Sequence, residues 1–488
     1  MKKILWIVGG VSEFRFLHKI ASVLERYCEL ESIYITELEE TYKLMSERGV
    51  NAKFIGDIVS MYKDTNQPLA ERVEICNDIL KDIDLRMFLH GDDLIRLFAE
   101  SRSAIEWTVD VVIAISNFLN EVRPHYCLGY ATGSVYVRAL MHLGPEYSMA
   151  SYILTYASIF SRMGLMPAGK EFRWTWKRLE DAKLDGEQPT IQKNLKSTIR
   201  ADEFIENYFK AHKSRPLVKR VGFVSSLAKF LVKSLYLPLM LKAKKNIELG
   251  EFARRYDFMV SYRKTRWHVS SKFFGYDETP SARSYVYMPL ASSDVVHRVW
   301  NPMNFLQEFH IQLAINSLPS NIELVIKEHP YGLGDIPHST LRKFQKLGVK
   351  VVSPKTHSLE LVKNAAAVIC LGETTGWESV LLKTPVVVFC ADAFYDYCPG
   401  VFKVKDPNLL HRAILKAVRF ETNDDIERAR ESAIEGIINC TNSGNVWGYK
   451  NVIWIDANTN SENVLDIANA IAEGLELCGS QALQLESK

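Results

Sequence analysis

Two rhythms alternate along the first 150 residues. Short continuous apolar runs over 4–8, 32–35 and 126–129 predict buried strands, and longer periodic stretches such as 16–27 and 103–122 predict helices. Alternation of this kind specifies an open parallel sheet, because a parallel neighbour is reached only through a crossover connection. From about residue 162 to 276 the strand pattern thins out, and Trp-, Lys- and Leu-rich helical segments, including 172–184 and 203–212, take over. A second alternation opens at Tyr285-Val286-Tyr287-Met288-Pro289. It then repeats as helix 306–317 and strand 323–327, helix 340–347 and strand 349–352, helix 358–364 and strand 366–371, and helix 376–382 and strand 385–389. A last helical pattern covers 461–477.

These patterns predict an α/β protein with two Rossmann-like domains and a helical insertion between them. The expected divisions are a first domain over 1–160, a helical and partly basic insertion over 161–280, a second domain over 281–455, and a terminal helix over 456–488 packing back on the first domain. Ligands of open α/β sheets bind at the carboxyl ends of the strands, and two facing halves leave a cleft. Residues just after strands are therefore where function is expected.

Composition narrows the classes. A chain of 488 residues exceeds the usual size of one core, and its 47% hydrophobic and 24% charged residues are those of an ordinary globular protein. Sixty basic against 58 acidic residues leave a formal charge of +2, which provides no general field for nucleic acid, and no nucleic-acid partner is expected. The eight cysteines are scattered without a C-x-x-C pair and read as reduced, mostly buried cytosolic thiols. The opening Met1-Lys2-Lys3 and the apolar run to Val8 imitate a signal peptide. The run ends at Gly9-Gly10 and charge returns at Glu13 and Arg15, so it reads as a first strand entering a glycine turn. No stretch reaches the roughly 18 to 20 uninterrupted apolar residues that a spanning helix needs.

Two strand ends carry chemistry. After strand 323–327 stands Lys327-Glu328-His329-Pro330, where the proline fixes the backbone direction of His329. The histidine there can bond or protonate a phosphate, with Lys327 as a supplementary charge, or it can simply be satisfied by a loop carbonyl. After strand 366–371 comes Gly372-Glu373-Thr374-Thr375-Gly376-Trp377-Glu378. Free helix-start amides, glycines allowing close approach and two threonine hydroxyls make an anion site, and Glu378 stands where a ribose would present its hydroxyls. The plainer reading is N-capping by Thr374 or Thr375, and one residue can serve both roles.

Residues 285–402 resemble the carboxy-terminal domain of the capsule polysaccharide biosynthesis proteins, bacterial GT-B-type glycosyltransferases that include transferases of the sugar acid Kdo. The matching pieces are Tyr287-Met288-Pro289-Leu290, Ile326-Lys327-Glu328-His329-Pro330, Gly372-Glu373-Thr374-Thr375-Gly376-Trp377-Glu378 and the run from Lys383 to Phe389. A weaker likeness lies at Gly9-Gly10 and Ser161-Arg162. The resemblance implies a GT-B-like architecture and gives His329, Thr374 and Thr375 contacts with the phosphate of a nucleotide sugar linked to CMP, UDP or GDP. The chain departs from the family in reading Ala291-Ser292-Ser293-Asp294 where members commonly carry Gln-Pro-Glu, and in placing Glu373 where a small or hydroxyl residue is usual.

The expected reaction is transfer of a sugar to a growing or lipid-linked surface polysaccharide. The donor-binding set is Lys327, His329, Gly372, Thr374, Thr375, Gly376 and Glu378. Neither a cofactor nor a metal is expected. Glu13 is the leading base and His329 the partner of the leaving phosphate, with Arg15 and Tyr130 on the acceptor side. Glu13 and Arg15 also fit a capped helix start, and Tyr130, Thr132 and Ser134 a plain strand-to-helix turn. His125 and His268 read as structural. Between 210 and 245 stand ten Lys and Arg and no acid, interleaved with Phe, Leu, Tyr and Met. That segment suits an anionic membrane surface or a solvated helix packed on the protein, and the former places the chain in the cytoplasm, peripheral on the inner face of the cell membrane. Rival readings are a teichoic-acid-type glycerophosphotransferase, a sugar-nucleotide epimerase, and a non-catalytic nucleotide- or glycan-binding scaffold.

Overall fold

The computed structural model describes residues 1–63, 66–81, 85, 102–129, 134–156, 162–168, 200–212, 223–241, 249–291, 307–330, 332–371, 374–389, 393–443 and 461–477. The chain forms two compact units. One comprises Met1–Gly186, Ala243–Arg254 and Cys440–Lys488, and the other Glu187–Lys242 and Arg255–Asn439.

The first unit is built on β1 (Lys2–Ile7), β2 (Leu30–Thr36), β3 (Ala52–Phe54), β4 (Tyr126–Gly129), β5 (Ala150–Tyr156) and β6 (Arg162–Ala168). Their order is β3-β2-β1-β4-β5-β6, closed by the short strand Asn442–Ser443. β1 to β5 run parallel, with Ile4 opposite both Ser32 and Tyr126. β6 returns antiparallel to β5 and pairs antiparallel with Asn442–Ser443. As the central strand of a parallel sheet, β1 is buried on both faces from Ile4 to Val8, which is why it reads as a continuous apolar run.

The helix Val11–Tyr27 turns Phe14, Leu17, Ile20, Ala21 and Leu24 inward at helical spacing, and Val464, Ile467, Ala468 and Ile471 of the helix Ser461–Gly474 join the same core. Lys2 Nζ donates to Glu476 O at 3.0 Å and Tyr126 OH to Leu475 O at 3.0 Å, tying the end of the chain to this sheet.

The second unit carries β7 (Tyr285–Pro289), β8 (Glu323–Lys327), β9 (Lys350–Val351), β10 (Ala367–Cys370), β11 (Val386–Phe389) and β12 (Val401–Val404), all parallel, in the order β9-β8-β7-β10-β11-β12. Val286, Met288, Leu324, Ile326, Ala367, Ile369, Val387 and Phe389 form the core on one face.

Each sheet thus winds outward from its first strand in one direction and then restarts on that strand's other side. The restart is between β1 and β4 in the first unit and between β7 and β10 in the second. Helices on either side of a restart leave the sheet in opposite directions, and the strand ends there open a crevice for ligands. The two-unit α/β fold agrees with the strand and helix alternation of the sequence.

Several details differ from expectation. The division at residue 160 falls inside the β5–β6 hairpin, because Gly164 and Pro167 hide β6 from a strand pattern. The helices Ala201–His212, Phe223–Leu241 and much of Leu249–Ser270 are counted with the second sheet and do not form a third body, and Cys440–Lys488 joins the first unit. The expected helix over 172–184 lies outside the described residues.

Cysteine pairing also differs. Cys76, Cys127, Cys370, Cys398 and Cys440 are reduced, but Cys28 is disulfide-bonded. Separation along the chain gave no sign of that pair. Among the described residues no helix is long and apolar enough to cross a membrane.

Candidate active site

In the second unit, β8 ends at Lys327, so Lys327 and Glu328 leave the strand on opposite sides. Both are buried, and both are held. Lys327 Nζ donates to Thr356 O at 3.1 Å and to Ser358 Oγ, at the start of the helix Ser358–Asn364. Burial pushes its pKa down to about 8, partly offset by the charge of Glu378. Its ammonium is therefore spent on the protein's own loop, in place of the open phosphate charge the sequence suggested.

Glu328 accepts from Trp267 Nε1 at 2.8 Å on Oε2 and from Gly334 N at 3.2 Å on Oε1. Removal from water raises its pKa to about 7, opposed by those two hydrogen bonds. His338 approaches it at 3.9 Å, but burial and the charges of Arg342 and Arg266 hold that imidazole down to about 4, so at neutral pH the contact is not an ion pair.

His329 follows, half-buried, with its carbonyl accepting from Gly332 N at 2.9 Å. The loop after it is clamped to the helix Leu249–Ser270. Arg266 Nη2 donates to Gly334 O at 2.9 Å, Arg263 lies 3.7 Å from Asp335, and Ser270 Oγ meets His338 Nδ1 at 2.6 Å. Gly334 has φ +84, and a Cβ there would stand 2.6 Å from Arg263 O, so only glycine fits.

Past β10, on the other side of the restart, the helix Thr374–Leu381 begins with Thr374 and Thr375, both half-buried. Its first amides and the two hydroxyls offer hydrogen bonds to an anion. Gly376 does something else. A Cβ on it would fall on the hydroxyl of Tyr395 and 2.7 Å from Cys370 Sγ, so this glycine makes room for packing beneath the helix instead of a ligand above it. Trp377 is fully buried among Phe204, Phe394 and Tyr395.

Glu378 is buried and accepts from Tyr208 OH at 3.4 Å, while its charge acts on Lys327. The carboxylate expected to meet a ribose is thus directed to the interior. Tyr208, from the helix Ala201–His212, is a partner that no local pattern announced. Gly372 and Glu373 lie outside the described residues.

In the first unit, Glu13 sits in the first turn of the helix that follows β1, beside the restart. It is 8% exposed, and its Oε1 has no hydrogen-bond partner among the described residues. Burial raises its pKa to about 8, with only the Gly9 backbone opposing. Ser134 Oγ and Tyr136 OH, just beyond β4 on the other side of the restart, are also buried without a well-placed partner among the described residues. Burial pushes the Tyr136 hydroxyl well above its usual range, the charges of Glu37 and Glu13 add to this and the Ser134 hydroxyl opposes it, which puts Glu13, Ser134 and Tyr136 in one neighbourhood. Tyr136 and Glu37 were missed in the sequence.

Arg15 is exposed, since two residues along a helix turn a side chain to nearly the opposite face from Glu13. It does not join the cluster. Tyr130 and Thr132 lie outside the described residues. His125 Nδ1 accepts from Lys3 N at 3.1 Å, a structural role.

Residues 281–408 match the family described as capsule polysaccharide biosynthesis protein. His329, Thr374 and Thr375 all lie within that matched segment, and Glu13 lies outside it. No curated protein matches the chain. Among solved structures, the chain is similar to a Thermosulfurimonas dismutans KpsC, a beta Kdo 2,7 transferase, at 12% identity and TM-score 0.31, covering 77% of this chain and 94% of that one. It is similar to a glycosyltransferase from Rickettsia africae at 10% identity and TM-score 0.30, covering 98% and 99%. A third similarity is to S. aureus MnaA with UDP, at 11% identity and TM-score 0.28, covering 98% of each.

Proposed function

We propose that the protein is a metal-independent glycosyltransferase of GT-B type that moves a sugar from a nucleotide-sugar donor to a growing or lipid-linked capsular polysaccharide. The observation that carries this reading is the placement, inside the segment that matches the capsule-biosynthesis family, of His329 and the Thr374-Thr375 helix start on the carboxyl-end edge around the β7/β10 restart. There the donor's phosphates meet the helix amides, the two hydroxyls and the imidazole.

The acceptor hydroxyl attacks the anomeric carbon as the bond from that carbon to the phosphate oxygen breaks. The bonding pair leaves with the nucleotide, whose phosphate charge is met by His329 and the helix start. The acceptor's proton goes to Glu13, whose oxygen without a partner among the described residues and raised pKa suit a base working near neutral pH. Tyr136 and Ser134 supply hydroxyls to orient the acceptor sugar. We assign the protein to the cytoplasm, where the five reduced cysteines among the described residues belong, with the pairing at Cys28 as the exception.

The test is thermal-shift and calorimetric titration of the full chain with CMP, UDP, GDP and CDP, repeated on His329→Ala and Thr375→Ala. One nucleotide should stabilise the parent and neither variant. Equal binding by the variants would remove the site. Nucleotide-sugar binding without turnover by any acceptor would favour a scaffold.

A further inference from the structure

A surface helix ordinarily shows its apolar stripe to the core and its charges to water. The helix Phe223–Leu241 does not. Its inner side packs on the helix Leu249–Ser270, where Phe230 stacks on Tyr262 with ring centroids 5.7 Å apart and Lys233 Nζ bonds Ser261 Oγ. Its outer side carries Val224, Leu231, Val232, Leu235 and Tyr236, each between 51% and 79% exposed. At 100° per residue, the arc from Leu231 to Tyr236 spans about 140° and holds no charge. Lys229, exposed, borders that arc.

We infer that this outer face is a docking surface for an anionic lipid bilayer, with the helix lying in the plane of the interface. Two occupants compete for this face: a second copy of the chain and a membrane. Charge decides between them. The segment 210–245 has ten Lys and Arg and no acid, so a second copy would bring the same charges against themselves, whereas an anionic headgroup layer complements them. With Lys229, Lys233 and Pro238 inside it, the helix is unsuited to span a bilayer and suited to lie on one. This inference does not depend on the glycosyl-transfer reading, since it rests on a different element and is read by binding alone.

The test is flotation of the full chain with phosphatidylcholine vesicles and with vesicles containing about 30% phosphatidylglycerol, a content that gives a negative surface potential. Binding is expected only to the anionic vesicles, weakening several-fold as ionic strength rises from 0.05 to about 0.5 M. Leu231→Ser with Leu235→Ser should reduce it about tenfold or more, from lost apolar insertion at exposed positions that leave the fold intact. Lys229→Gln should reduce it about five-fold, the effect of removing one near-surface charge. Equal binding by the leucine variant, or no binding to anionic vesicles, would overturn the proposal. So would a concentration-dependent dimer in sedimentation that the same leucine variant dissolves, because the face would then belong to a second copy.

Discussion

Trp267 donates its indole N–H to Glu328 at 2.8 Å, joining the helix Leu249–Ser270 to the residue immediately before His329. The bond is buried and Glu328 also receives the Gly334 amide, so one carboxyl sets both the helix and the loop that follows the histidine. Replacing Glu328 by Ala leaves two buried donors unpaired and should cost about 2–4 kcal/mol in urea unfolding. Trp267→Phe keeps most of the packing and should cost about 1–2 kcal/mol.

The same carboxyl makes a signed prediction with pH. Its folded pKa of about 7 lies above the ordinary 4.5, so the folded state holds the proton where the unfolded state has lost it. The stability this contributes is fully present below about pH 4.5 and lost as pH rises through 7, at about 1.4 kcal/mol per unit. Glu328→Gln cannot lose a proton. Its stability relative to the parent should therefore rise between pH 5 and 7 and level off above, and a flat difference would show that Glu328 is ionised throughout.

Gly376 and Tyr395 make a steric prediction. The Tyr395 side chain is fully buried, with Cζ 2.5 Å from where a Cβ on residue 376 would stand, and cannot swing aside. Gly376→Ala should destabilise by about 2–3 kcal/mol through overpacking. Adding Tyr395→Phe removes the oxygen but not the ring edge, so a double-mutant cycle should recover about 1 kcal/mol. Full additivity would mean that the helix moves as a whole instead.

These residues show what the sequence displayed and what it concealed. The strands ending at Val8 and Lys327 were legible because a parallel strand buried on both faces must be an apolar run, and the Thr374-Thr375 helix start was legible because its glycines and hydroxyls are contiguous. The fates of Lys327 and Glu378 were not. Their partners Thr356, Ser358 and Tyr208 come from other elements, with 170 positions between Tyr208 and Glu378, and no local periodicity reports which long-range partner a buried charge will find. Arg15 failed for a simpler reason, helical geometry, which turns it away from Glu13.

The terminal helix offers a test of packing. Ile467 and Ile471 are fully buried against the helix Val11–Tyr27 and the first sheet. Ile471→Ala should destabilise the first unit by about 2–4 kcal/mol, the cost of a buried cavity, read as loss of amide-exchange protection in β1 and β2. Unchanged protection there would mean that the helix is not needed for the sheet.

Glu13 carries the sharpest link between electrostatics and activity. A base must be ionised, and with a folded pKa of about 8 this carboxyl is mostly protonated at pH 7. Turnover should therefore rise with pH by up to tenfold per unit below 8 and level off above it. Stability runs the other way, because the proton is retained only in the folded state. The contribution is complete below about pH 4.5 and is lost as pH climbs through 8. Glu13→Gln should remove the rising limb, lower turnover by about 10²–10⁴ and gain stability over the parent at pH 8 relative to pH 5. A variant that gains stability but keeps full turnover would leave Glu13 buried as described and move the base elsewhere. One that loses turnover with no change in the pH dependence of stability would mean that the carboxyl is ionised in the resting protein.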